Sequence, residues 1–584
     1  MKKFFQSIKE KTTGEKVVVR IIMAWILTCL CFFIKSDGDF ANPMYAENIN
    51  TIMFLCYVLL FFMSFCALGL FRNFRLVEIY GPSTLIVAYG ILSVNGDTPI
   101  SYVVGLMLLL ALSLIYGVSK TEEFFEFKKN GPVIILYIVA AIFYVAVAGG
   151  ISLFRHMSYQ SGIEDVGNTM HMFYSLRDGI INLDWSGIKE NASYFFDNFS
   201  PMYYVFLPVY IILPWFGTLL VLQVIMIVSG LIPLILLCKK FNVRKSATVI
   251  FALIYVMYPA LSCGCYTGLY ENCLLVPALL WMLYFIEQEN TKIVAIMAIF
   301  ALLICEEAVV YVACIGIYLM VNKRKYIGGL VLFAGSIGYY ILMVNILKHF
   351  GGTEISMGLS NYIDNGDGSI IDVIRNFIVN PGYVLKESFA PEKLAFLMLM
   401  LMPLAFLPLA SKKISKQVLL LPLLILNLAP DYAAKYSIFD QYAFGSAAIF
   451  IYLSVSNYGE MEERTKKYFA AIALCASIVF LPTGAMSDVG YISDYFKNHK
   501  QYEQLSEAIR DIPKDSSVAA SELFMAHVSA REEVYQYPCD EKTDVIVLDS
   551  RNGRYDQRII NGLRKRGYTV KEEVDDFYII LTKE

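Results

Sequence analysis

Apolar runs close to the length of a bilayer crossing recur along this chain from residue 18 to residue 485, and nothing else in the sequence constrains the fold as strongly. About twenty apolar residues in a helix cross a typical hydrocarbon core, and only helices or closed barrels satisfy every backbone polar group there. The runs lie at 18–36, 50–71, 78–95, 100–117, 131–153, 217–238, 245–262, 270–287, 291–305, 308–321, 326–347, 393–410, 416–430, 438–456 and 467–485. They predict an all-α polytopic membrane protein with about 13 to 15 transmembrane helices. Composition agrees, since 17% of the residues are charged and 57% hydrophobic, against roughly a quarter charged in soluble proteins. The lipid bilayer is therefore the expected partner. A net charge of −3 gives no footprint for nucleic acid.

Charge between the runs sets the expected orientation, because cytoplasmic loops collect Lys and Arg. With the N-terminus in the cytoplasm, the inner connections are Arg72–Arg75, Lys120–Lys129, Lys239–Lys245, Gln288–Lys292, Lys323–Lys325, Lys412–Lys416 and Arg464–Lys467, nearly all with two or more basic residues. Met1–Lys16 is basic and leads into an apolar run without a small-residue cleavage site, so it reads as the inner flank of a first span. An odd number of spans leaves the C-terminus outside a multi-pass plasma-membrane protein.

Three regions follow. Residues 1–118 form an N-terminal transmembrane bundle, 131–487 a core, and 488–584 a small soluble α/β domain on the extracytoplasmic side. Loops 154–200 and 349–392 are too long for simple connections. Within the first, Asp165–Leu183 has helical spacing and is expected along the membrane surface. Pro201–Pro214 is broken by Pro208 and Pro214 and is expected to be an interfacial or re-entrant segment rather than a full span. In the tail, Val545–Leu548 reads as a buried strand ending at Asp549, followed by an amphipathic segment at Asp556–Arg566 and a final segment at Phe577–Leu581. There is no Gly-rich phosphate loop.

Ionisable residues near spans are costly and mark candidate sites. Four places fall on the expected outer side: Glu164–Asp165, Glu271, Glu306–Glu307 and the turn from Asp431 to Asp440 with Lys435, Gln441 and Tyr442. Glu306–Glu307 stands out because it interrupts a nearly continuous apolar stretch from Ile293 to Val321. Each acid alone also suits the plain role of a carboxylate at a helix start. Cations available to an anionic group are Arg155, Lys348, Arg375, Lys386 and Lys435; the planar Arg fork is the better phosphate clamp. Most of the cysteines sit in apolar runs as small hydrophobes. His156, His171 and His349 fall in outer loops without tight ligand spacing, so no metal site is assigned; a divalent cation stays open as an alternative that no spacing supports.

Several motifs in order resemble one family. These are Asp165-Val166-Gly167, Asn198-Phe199-Ser200-Pro201 with Leu207-Pro208-Val209-Tyr210, Tyr270-Glu271 with Pro277, Cys305-Glu306-Glu307, Gln441-Tyr442 and the tail stretch Ile512–Ala520. Together, residues from about 133 to 584 resemble the membrane family called domain of unknown function 2079. Where the family pattern has His, this chain has Asn198, Tyr270 and Gln441, each still able to hydrogen-bond. The family is in turn similar to the GT-C integral-membrane glycosyltransferases, and that resemblance implies a polyprenyl-phosphate-linked sugar donor and a glycan, lipid or protein acceptor. It further implies Asp165 as general base and Glu307 as its partner. Glu164, Asn198, Tyr270, Glu271, Glu306, Gln441 and Tyr442 would line the substrate site, with Arg155 or Arg375 on the phosphate. The alternatives are a transporter or flippase, or a scaffold for cell-envelope glycan assembly.

Overall fold

The computed structural model describes residues 14–35, 47, 49–69, 74–94, 98–121, 126–162, 166–177, 199–350, 358–362, 370–551 and 557–583. Among them, eight helices are long and apolar enough to cross a membrane: Gly14–Lys35, Thr51–Leu68, Phe74–Ser93, Ile100–Ser119, Asn130–Met157, Phe216–Lys240, Tyr326–His349 and Glu463–Gly484. A ninth candidate, Lys245–Met257 with Pro259–Cys265, is bent by 57°. The chain is thus a mostly helical polytopic membrane protein.

The other apolar runs form shorter helices, such as the continuous Phe444–Glu460, or are broken. Thr291–Leu302 and Ala308–Val321 are short helices separated by the turn that holds the two glutamates. The run at 393–410 is helical only over Pro391–Leu401, after which Ala405 and Phe406 take left-handed φ angles of 48° and 57°. Pro403 and Pro408 follow the helix, and proline has no N–H to continue it. The run at 416–430 winds as 3₁₀ and π turns, Ile414–Leu420 and Leu423–Leu428. Freed carbonyls along these breaks receive side-chain donors. Tyr258 OH donates to Met400 O at 2.8 Å, Ser477 Oγ to Pro403 O at 2.8 Å, and Asn457 Nδ2 to Leu407 O and Pro408 O at 3.0 and 3.1 Å.

One contiguous buried core joins the helices between Ala140 and Ala473. The N-terminal helices pack through a separate cluster onto Met402, Val479 and Phe480. Basic loops gather at one end of the bundle. There Arg244 pairs with Glu463 at 3.0 Å, Lys323 with Glu287 at 2.6 Å, Lys416 with Glu460 at 3.0 Å and Lys120 with Glu15 at 2.8 Å.

The last transmembrane helix does not stop at the expected boundary near 488. Glu463–Arg510 is one helix of 48 residues, roughly 70 Å long at 1.5 Å per residue, more than twice the hydrocarbon thickness. It carries the tail as a helical stalk rather than a linker. The tail is a five-stranded sheet of β1 (Val518–Ala520), β2 (Val534–Gln536), β3 (Val545–Asp549), β4 (Tyr568–Val574) and β5 (Tyr578–Lys583), in the order β2-β1-β3-β5-β4. β1, β2 and β3 are parallel, and β5 pairs antiparallel with β3 and β4. The segment expected along the membrane surface is instead packed inward where it is described. Asn168–Arg177 is a helix that buries His171, Met172, Phe173 and Leu176, because the tail and the Tyr203–Ile212 helix cover it.

Helix Ala308–Val321 lies against Tyr326–His349 through paired glycines. A Cβ on Gly316 would stand 2.8 Å from Gly329 O and 2.9 Å from Phe333 N, whereas one on Gly328 would meet nothing within 4 Å. Gly316→Ala is expected to lower the thermal midpoint in detergent, by about 1–3 kcal/mol of overpacking. Gly328→Ala, on the same hairpin, is expected to leave it unchanged or raised, since alanine is the better helix former.

Candidate functional site

Three of the acidic or polar motifs, at Glu271, at Glu306–Glu307 and at the turn with Lys435 and Tyr442, meet where the helices are broken. The first break is the turn from Pro259 to Leu274, and a single buried amide seats it. Gln223 Nε2 donates to Gly268 O at 2.8 Å and to Cys265 O at 3.3 Å, while its Oε1 accepts from Tyr270 N at 2.9 Å. This fixes Glu271 and Asn272 at the turn's end. Glu271 is buried and accepts from Tyr203 OH at 2.5 Å. Tyr203 in turn packs edge-on against Phe173, on the helix that touches the tail through His171. The site therefore sits toward the tail end of the bundle.

The second break holds Glu306 and Glu307. Glu306 accepts from the backbone N–H of Phe199. Glu307 stands at the position just before Ala308–Val321, where the helix dipole favours negative charge. One of its oxygens accepts from Asn272 Nδ2 at 3.1 Å, and the other is paired with Lys435 Nζ. Lys435 is only 5% exposed, and its ammonium lies 3.7 Å from the centroid of the Tyr442 ring, close enough for a cation–π contact. Asn427 binds the turn that presents both residues, donating to Lys435 O at 2.7 Å and Tyr442 O at 3.1 Å. Ser446 Oγ donates to Asn427 Oδ1 at 2.6 Å and meets Tyr311 OH at 3.1 Å.

The chemistry is rich in acceptors. Beside the Glu307–Lys435 pair stand the carboxylates of Glu271 and Glu306. Asn272 Oδ1 and Gln441 Oε1 are buried acceptors that receive no hydrogen bond among the described residues. A ligand suited to such a wall brings O–H or N–H donors. The space among Asn272, Leu275, Glu307, Tyr311, Leu426, Lys435 and Tyr442 leaves no room for a water molecule, so this arrangement is closed. A larger apolar cavity of about 930 Å³ lies among the N-terminal helices, lined by residues such as Trp25, Pro82 and Leu109.

Glu271, Glu306, Glu307 and Tyr442 come together as a cluster. Tyr270 lies in the same turn, its hydroxyl 3.1 Å from Thr267 Oγ1. Glu164, Asp165 and Asn198 lie outside the described residues. The expected phosphate clamps do not join the acids: Arg155 Nε donates to Gln160 O at 3.2 Å beneath the Tyr491 ring, and Arg375 is exposed on Ile370–Val379. Neither makes an ion pair among the described residues, and the cation at the acids is Lys435. His156 stacks on His527 at 4.4 Å, and no group of three His, Cys, Asp or Glu side chains able to hold a metal occurs among the described residues. Gln223, Asn272, Asn427, Ser446, Tyr203 and Tyr311 are the parts that sequence reasoning missed. The lone amides Gln223 and Asn427 inside apolar runs were the available signal.

Removing one partner of a buried ion pair strands the other charge, at a cost of about 3–5 kcal/mol. Lys435→Met is accordingly expected to lower the thermal midpoint sharply, and Lys435→Met with Glu307→Leu to recover most of the loss. A single variant as stable as the parent protein would show that the pair is not buried as described.

No protein of curated function matches the chain. The model of a family described as a predicted membrane protein, DUF2079, matches residues 155–579, which takes in every element of the site above as well as most of the tail. The chain belongs to the DUF2079 family of membrane proteins.

Proposed function

We propose that this protein is a membrane glycosyltransferase that takes a sugar from a polyprenyl-phosphate carrier at the extracytoplasmic face and passes it to a hydroxyl of a glycan, lipid or protein. The Glu307–Lys435 pair carries the reading, being a carboxylate and an ammonium held buried among spare acceptors and an aromatic face. Glycosyl transfer calls for those two groups: one to handle the acceptor's proton or orient its hydroxyl, one to meet the charge left on the phosphate. Glu271, Glu306, Asn272 Oδ1 and Gln441 Oε1 suit the hydroxyls of a sugar. The resemblance to GT-C enzymes read from the sequence adds a fold-level prior. The gathering of basic loops at the opposite end favours the tail end as the outer one.

In this reading Asp165 takes the proton from the acceptor hydroxyl as its oxygen bonds to the anomeric carbon. The bond from that carbon to the phosphate oxygen breaks, and polyprenyl phosphate leaves with the electron pair. Lys435 has three donors and gives one to Glu307, so it can face the departing phosphate. Entry requires the closed side chains around Lys435 and Tyr442 to part. Asp165→Asn and Glu307→Gln are each expected to cut transfer from a radiolabelled polyprenyl-phosphate sugar by about 10²-fold or more per molecule of folded protein, with membrane levels unchanged for Asp165→Asn and lowered for Glu307→Gln, which leaves Lys435 unpaired. Full activity in either variant would remove that residue from the reaction.

One observation favours a second reading, a carrier for a lipid-linked glycan: the 57° bend and the paired short helices resemble the discontinuous spans of transporters. Translocation of a lipid-linked glycan across proteoliposomes, without any sugar transfer, would support the carrier over the enzyme.

A further inference from the structure

The tail presents the C-terminal ends of its parallel strands to the membrane part of the chain. In open α/β sheets ligands bind outside those strand ends, beside the strand where the order reverses. Here that strand is β1, with β2 on one side and β3 on the other. The crevice beyond it is filled by the chain itself, at residues 158–162.

Tyr159 is 1% exposed and belongs to the tail's own core, with Tyr502, Leu505, Phe524, Met525 and Phe577. Its ring stacks on His527 at 3.7 Å and stands edge-on to Phe524 at 5.4 Å, and its hydroxyl lies 2.8 Å from Ser506 Oγ. Its φ of 56° is one a bulky residue rarely adopts unless its surroundings impose it. Here the end of the Gly150–Met157 helix sets it, with Tyr159 N donating to His156 O at 3.0 Å and Gln160 N to Arg155 O at 3.1 Å, and Arg551 meets this turn from the strand end. Asp549, the last residue of β3, holds the guanidinium through bonds of 2.8 and 2.9 Å, and the same group donates to Ser158 O at 3.2 Å and Tyr159 O at 2.9 Å. On the far side of residues 163–165, His171 Nδ1 meets Ser529 O of the tail at 3.0 Å. The exchange is mutual, since Ala526 of the tail is buried in the membrane core. Burial, with the His156 imidazole alongside, holds the His527 pKa well below its ordinary value, so the ring packs neutral and Nε2 donates to His156 O at 3.0 Å.

We infer that the C-terminal domain is a clamp: its strand-end crevice takes residues 158–162 of this chain as its ligand and positions that stretch and the Asn168–Arg177 helix, which flank Glu164 and Asp165 in the sequence. Tyr159 is the anchor and Arg551 the positioning residue. The clamp stands on these contacts whether or not the site transfers sugars, so its failure and that of the enzymatic reading are separate results.

Hydrogen–deuterium exchange on the full-length protein in nanodiscs tests it. In Arg551→Ala and in Tyr159→Ala, amides of 158–162 and 168–177 are expected to exchange about tenfold faster or more, while those of Phe216–Lys240 keep their protection, as for a local opening. Tyr159→Phe keeps the ring and is expected to behave as the parent. Unchanged exchange at 158–162 and 168–177, or acceleration that extends equally into Phe216–Lys240, would overturn the clamp. If Tyr159→Ala does not yield folded protein, Arg551→Ala and Arg551→Lys decide by the same two criteria, with lysine expected to restore little because it lacks the fork that spans Asp549 and two carbonyls.

Discussion

A backbone carbonyl or amide that leaves a helix inside a bilayer has no water to turn to, and the central spans of this chain leave their helices repeatedly. Each departure is matched by a side chain from a neighbouring element. Tyr258 serves the end of Pro391–Leu401, and Asn457 and Ser477 serve the turns after it. Gln223 serves the turn before Glu271, and Asn427 the turn that carries Lys435 and Tyr442. The polar residues in the apolar runs are there because the backbone needs them. The site exists because several such breaks lie side by side.

That origin explains the site's composition. Turns inside a bundle expose backbone and bring short polar side chains inward, and charge enters only where it is paired. Glu307 meets both conditions, at a helix start and against Lys435. Glu306 and Glu271 are engaged differently, by a backbone N–H and a tyrosine hydroxyl. The same packing couples the site to the tail through Tyr203, Phe173 and His171. A domain joined by a continuous helix and clamped on Tyr159 is thus part of the membrane unit rather than an appendage.

Much of this fold is legible in the amino-acid sequence. Hydropathy and loop charge locate the long helices, since both follow from transfer energetics that act residue by residue. The buried strand ending at Asp549 is equally plain. β2 is not, because three residues carry too little periodicity, and β4 is not, because Lys571, Glu572 and Glu573 make it read as a solvated loop. The acids at Glu271 and Glu306–Glu307 declare themselves by standing in apolar surroundings. Their partners do not: which lysine reaches Glu307 depends on how the 427–442 turn folds back, and no local pattern distinguishes Lys435 from Arg375. Nor does any local rule reveal that Tyr159, in a loop, is a core residue of a domain more than 300 positions away. Its burial is created wholly by tertiary contacts, Phe524, His527 and Arg551 among them.

The central claim is that the Glu307–Lys435 pair marks the place where a lipid-linked sugar reacts. A cryo-electron microscopy structure of the full chain in nanodiscs, bound to a non-transferable phosphonate analogue of a polyprenyl-phosphate sugar, addresses it directly. The account predicts sugar density against Asn272, Glu307 and Lys435, with Tyr442 displaced and the tail still seated on Tyr159. Analogue density confined to the apolar cavity among the N-terminal helices, with the Glu307–Lys435 pair still closed, would contradict it.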